Sequence, residues 1–111
     1  RDRNEGVPDG MTLDKNKNLW VAHFHGACVS VFNNKAKLIH RIRFPAKNIT
    51  NCAFGGKNTN VLYVSTATKG MNKADLQKFR YSGFFFSVKT NVKGILQKKF
   101  VLNNEEKRSL L

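Results

Sequence analysis

The chain has 111 residues, 41% of them hydrophobic with nine Phe, and a formal net charge of +13. That length allows no more than one ordinary domain, and that apolar content excludes a disordered chain. No apolar run approaches the roughly 20 residues of a membrane span.

The chain reads as short strands punctuated by tight turns. Gly10 to Asp14 is a first strand, followed by the polar turn Lys15-Asn16-Lys17-Asn18. Leu19 to Phe24, with Trp20 and Val21, is a second. His25-Gly26-Ala27 turns the chain into a third strand, Cys28 to Phe32, which Asn33-Asn34-Lys35 ends. Leu38 to Phe44 alternates polar and apolar residues until Pro45 stops it. Four strands joined this way predict an antiparallel meander.

The pattern then restarts. Asn51 to Gly56 resembles Gly10 to Asp14, and Val61 to Ser65 resembles Asn18 to Ala22. Leu13 to Phe54 is a step of 41 residues and Trp20 to Tyr63 a step of 43. A period just above 40, with four strands per unit, is that of a propeller blade. Blades stack face to face, so the second strand of each needs no alternation. Leu13, Trp20, Val21, Phe54, Tyr63 and Val64 are the expected buried positions.

Ala67 to Ser82 is a longer insertion, in which Asn72 is placed to cap one helical turn through Leu76. Gly83 to Val88 is a third strand, and a weak fourth near Ile95 is one way to complete this unit. The other is a strand borrowed from the far terminus of a ring. The expected boundaries are a first blade over about 9–44, a second over about 49–102, and a polar tail at 103–111. Two blades leave a broad apolar face and open strand edges. The chain, which starts at Arg1, thus reads as a fragment or a processed product whose partners are the upstream blades of the same propeller.

Cys28 and Cys52 each lie in an apolar stretch, without metal or redox spacing. They read as buried free thiols in a reducing, cytoplasmic setting. The polar first ten residues do not resemble a signal peptide, so Asn48-Ile49-Thr50 reads as a chance glycosylation sequon. The basic residues are dispersed, with Lys35 and Lys37, Lys98 and Lys99, and Lys107 and Arg108 the densest groups. None is an arm for nucleic acid, and no nucleic acid or membrane partner is expected.

Several ordered segments resemble one family. Gly6-Val7-Pro8-Asp9-Gly10-Met11-Thr12-Leu13-Asp14 with Asn18-Leu19-Trp20-Val21-Ala22 is similar to a signature of the senescence-marker, regucalcin, gluconolactonase and luciferin-regenerating-enzyme group. Asn51-Cys52-Ala53-Phe54-Gly55-Gly56, Leu62 to Ala67, Gly83-Phe84-Phe85 and Val92-Lys93-Gly94 follow in the family's order. The resemblance implies an all-β fold, the last two blades of a six-bladed β-propeller. It also implies one divalent metal in the central channel (Ca²⁺, Zn²⁺, Mn²⁺ or Mg²⁺) and hydrolysis of sugar lactones. The family's ligands are a Glu, two Asn and the Asp of the Pro-Asp-Gly segment. Only Asp9 has a counterpart here, and the resemblance gives it both metal binding and the handling of the attacking water. Read alone, Pro-Asp-Gly is also a common turn.

His23 and His25 end the second strand on the rim of Asp9 and are candidates to contact substrate. The plainer reading is two partly solvated rim histidines, and a zinc pair is disfavoured because no third ligand is visible nearby. The third strand has Cys28-Val29-Ser30-Val31 where relatives often carry Arg, and Ser82 stands where a Gly pair is usual. Two other functions compete with a lactonase. One is a non-enzymatic calcium-binding regulatory propeller. The other is RNA binding through Arg80 to Val88, which resembles an aromatic stacking strand, although buried blade aromatics account for the same Phe residues.

Overall fold

The structure is a computed structural model and describes residues 5–95. The expected end of the second blade and the tail 103–111 lie outside the described residues. Strands β1 (Val7–Leu13), β2 (Leu19–Phe24), β3 (Cys28–Phe32) and β4 (Leu38–Arg43) form an antiparallel meander in that order. A second antiparallel sheet holds β5 (Asn48–Gly55), β6 (Val61–Ala67) and β7 (Phe86–Lys89). Helix α1 (Lys73–Lys78) lies between β6 and β7. It begins at Asn72 because Asn72 and Asp75 make a reciprocal capping box, with Asp75 N–H donating to Asn72 Oδ1 at 2.8 Å. Among the described residues no helix is long and apolar enough to cross a membrane.

One turn design recurs. Asp14 Oδ1 accepts from the N–H groups of Asn16 (2.8 Å) and Asn18 (3.0 Å), while Lys17 takes φ 63°. Asn33 Oδ1 does the same for Lys35 and Lys37, both at 3.0 Å, with Ala36 at φ 61°. A short side chain that accepts two and four residues on closes the hairpin and selects its register. Asp14 does more than Asn33. It is fully buried, and its second oxygen accepts from Trp20 Nε1 at 2.9 Å and Asn18 Nδ2 at 3.2 Å.

The two sheets stack, with β5 packed on β1 and β2. Between them lie Trp20, Ala22, Val29 and Val31 from the first sheet, and Cys52, Leu62 and Val64 from the second. Ile49, Leu62, Val29 and Val64 are fully buried, each stabilising by about 1.5–3 kcal/mol over exposure. Trp20 meets Phe54 edge-on at 5.1 Å.

Burial departs from expectation at particular places. Trp20, Val21 and Val64 are buried, but Leu13 is 44% and Tyr63 36% exposed. Both point to the face of their sheet turned away from the other sheet, so neither sheet covers them. Phe84 and Phe85 are likewise exposed rather than buried, at 58% and 68%. They precede β7, and Phe85 stacks on Tyr63 at 5.8 Å. Among the described residues, which end at Ile95, no fourth strand pairs with β7. Gly94 bridges Asp14 instead, and Lys15 N–H donates to Lys93 O at 2.8 Å, so the chain crosses back to the first sheet.

Candidate functional site

Asp9 lies inside β1, where the pairing with β2 slips between Pro8 and Met11. A bulge of this kind turns one side chain out of the alternating rows. Asp9 is exposed. Among the described residues its carboxylate takes no hydrogen bond and no ion pair, despite the net charge of +13 on the chain. Pro8 is opposite His23, which puts Asp9 beside the end of β2.

The first strands of the two sheets touch at this level. A side chain on Gly10 would run into the side chain of Asn51, so glycine permits the close approach of β1 and β5. β5 slips in the same way, between Ile49 and Asn51. Thr50 is the residue passed over there, and its Oγ1 is 2.7 Å from Ser65 Oγ. Asp9 and Thr50 thus occupy bulges at the same end of adjacent first strands.

The two histidines part company. His23 is 9% exposed and belongs to the face of the first sheet turned away from the second. Its Nδ1 is 2.7 Å from the carbonyl oxygen of Glu5. A carbonyl only accepts, so Nδ1 carries the proton and Nε2 of the neutral ring holds a bare lone pair. Nε2 is buried without a hydrogen-bond partner among the described residues. Gly26 leaves room for this arrangement, since a side chain there would collide with the Glu5 carbonyl.

Cys28 stands directly opposite His23, and Arg43 opposite Cys28. Glu5 reaches over both strands. Its Oε2 is 2.9 Å from Arg41 Nη1 and 4.0 Å from Cys28 Sγ, and its Oε1 is 3.5 Å from Arg43 Nη2. Burial pushes the Cys28 thiol up, and the Arg41 and Arg43 charges partly offset that. Guanidinium groups therefore reach this face from β4, whereas β3 carries Cys28. Sequence reasoning named His23 but not its neighbours. Hairpin register alone would have set Cys28 opposite it, while Glu5 comes from outside the strands.

His25 is exposed in the turn after β2, with φ 68°, and packs edge-on against Phe24 at 4.4 Å. The α1 insertion is pinned beside this turn. Lys47 Nζ donates to Asp75 Oδ2 at 2.9 Å, holding the Asp75 carboxyl below its ordinary value. Ser82 Oγ accepts from Lys47 N–H at 3.0 Å and donates to Phe79 O at 2.8 Å. The hydroxyl thus has a task at a position where a glycine would have none. Asn48 of the apparent sequon is fully buried and donates to Lys69 O at 2.9 Å, so the folded chain offers no glycosylation acceptor there. Cys28 and Cys52 are both buried free thiols.

The comparisons with known proteins agree on the lineage. Zebrafish (Danio rerio) regucalcin is 40% identical over 96 residues, covering 85% of this chain and 32% of that protein. A solved calcium-binding protein, regucalcin from Agrobacterium tumefaciens, superposes with a TM-score of 0.82 over 88% of this chain and 33% of its own, at 24% identity. A luciferin-regenerating enzyme does so with a TM-score of 0.71 at 33% identity, over 81% of this chain and 30% of that one. The chain therefore spans about a third of the length of these relatives. The family description "SMP-30/Gluconolactonase/LRE-like region" matches residues 1–68. With ordered motifs, antiparallel sheets and these likenesses in accord, the chain belongs to the SMP-30/gluconolactonase/LRE-like family.

Proposed function

We propose that residues 1–111 are the last two blades of a six-bladed β-propeller, and that Asp9 serves a divalent-metal-dependent sugar lactonase formed by the complete protein. The observation that carries this reading is the carboxylate of Asp9, exposed in a bulge of β1 and unpaired among the described residues. A carboxylate left unpaired on a basic chain suits a hard cation, which takes oxygen ligands. Ca²⁺, Zn²⁺, Mn²⁺ or Mg²⁺ bound there would polarise the lactone carbonyl and acidify a water. Asp9 supplies one ligand oxygen and a proton acceptor for that water. His25, being exposed, is the better placed of the two histidines to meet a sugar hydroxyl, and His23 borders it from the buried side. Upstream blades would supply the remaining ligands and cover the free face of the first sheet. The buried free thiols accord with a cytoplasmic protein.

The test uses the full-length polypeptide with Asp9→Ala and Asp9→Asn. Lactone hydrolysis is followed by acid release and metal affinity by calorimetry. Asp9→Ala should lower kcat/KM by more than about 100-fold, the upper end for a group that only supports a ligand. Asp9→Asn should keep part of the affinity and lose most turnover. Unchanged affinity and turnover in Asp9→Ala would reduce Asp9 to a turn residue. A non-enzymatic calcium-binding propeller shares the same ligand. Calcium binding that depends on Asp9, without turnover of any lactone, would select it.

A further inference from the structure

We propose that Glu5, His23 and Cys28 form a second cation site, for Zn²⁺, on the free face of the first sheet and separate from Asp9. A ring nitrogen of His23, a carboxylate oxygen of Glu5 and Cys28 Sγ lie within 4.8 Å of one another. Ligand atoms on a tetrahedral zinc are about 3.3–3.8 Å apart, given bonds of about 2.0–2.3 Å. Small side-chain rotations of Glu5 and Cys28 close that difference.

Three features go beyond proximity. The first is His23. Its Nδ1–H is held by a backbone carbonyl, and its buried Nε2 has no partner among the described residues. Metal-bound histidines are oriented in this way, one nitrogen donating to a carbonyl and the other presenting its lone pair. An orphaned buried nitrogen is costly, and a cation removes that cost. The second is the donor set. Nitrogen, sulfur and one carboxylate oxygen match zinc and are a poor match for Ca²⁺ or Mg²⁺.

The third is charge. A thiolate and a carboxylate neutralise Zn²⁺, which answers the objection that Arg41 and Arg43 would repel it. Glu5 needs only one oxygen for the metal and keeps the other for a guanidinium. Arg43 is held at the longer distance of 3.5 Å from Glu5, and Arg41 retains Ser30 Oγ at 3.0 Å. A water held beneath the covering blade would take the fourth position. Zinc binding is then a bond from Cys28 Sγ to the metal, with the thiol proton lost to buffer.

The proposal is tested with Co²⁺ as a coloured stand-in on the metal-stripped full-length polypeptide. A thiolate-to-cobalt charge-transfer band should appear and be bleached by Zn²⁺, within two equivalents in the wild-type protein and within one in Asp9→Ala. Cys28→Ser should abolish the band. His23→Gln and Glu5→Gln should each weaken Zn²⁺ affinity by at least about tenfold. Asp9→Ala should leave the band intact, which separates this site from the lactonase reading. No band in the folded wild-type protein would overturn the proposal, and so would a band that His23→Gln leaves unchanged. Circular dichroism of each variant shows whether the sheet is retained, and the wild-type spectrum decides even where a variant fails to fold.

Discussion

Replacing Asp14 with alanine removes the acceptor that joins the first hairpin to the aromatic core. Asp14 is fully buried and accepts four hydrogen bonds, from Asn16 N, Asn18 N, Asn18 Nδ2 and Trp20 Nε1. The exposed Asn16 amide finds water again at little cost. The Trp20 indole, 5% exposed, does not, and an unsatisfied buried donor costs about 1–3 kcal/mol. Loss of the Asn18 bonds adds about 1–2 kcal/mol, so Asp14→Ala should destabilise by about 2–5 kcal/mol. Asp14→Asn is the sharper variant. Asn33 makes the same two backbone contacts with an amide, so asparagine should preserve the turn. Its NH₂ would then face the Trp20 N–H, donor against donor, at about 2 kcal/mol. Urea denaturation of the full-length polypeptide measures both, and hydrogen exchange over Met11 to Phe24 localises the loss. A cost below about 1 kcal/mol for Asp14→Ala, or equal costs for the two variants, would refute the hydrogen-bond account.

Burial pushes the Cys52 thiol up to about 12, so at neutral pH it should resist alkylation until urea unfolds the sheets. Mass spectrometry of iodoacetamide-treated protein reads this directly. The Lys47 contact lowers the Asp75 pKa from 3.8. A depressed carboxylate favours the fold above its unfolded value and loses that contribution as pH falls through the folded one. An NMR titration of Asp75 should therefore give a midpoint below 3.8, and Lys47→Met should raise it. Gly10→Ala should separate the first strands of the two sheets, because the new methyl meets the Asn51 side chain and lies 2.8 Å from its Cα. Its urea midpoint should drop, whereas Ala53→Gly, at an exposed position of β5, should change it far less.

Much of the fold was legible because it is local. Period-2 rows, polar turns and the N-cap at Asn72 each need only a few neighbouring residues. They set the meander, the repeat of the motif in the second sheet and the helix in the insertion. The exposure of Leu13 and Tyr63 was not legible, since burial on both faces requires sheets that the described residues do not include. The path of Val92 to Ile95 was hidden too. Its single bridge to Asp14 crosses 80 residues of chain and leaves no periodic trace.

The sequence by itself determined the family and singled out Asp9, because the Pro-Asp-Gly segment and its flanking motifs are contiguous. It also set His23 near the rim of Asp9, because hairpin register follows from turn spacing. Tertiary structure decided which way each histidine faces. It left His25 in solvent and buried His23 opposite Cys28 and against the backbone carbonyl of Glu5, 18 residues upstream. A strand's alternation says only that neighbouring side chains point to opposite faces. What waits on each face depends on segments such as Glu5, whose path is fixed by packing against Gly26 and by the arginines of β4.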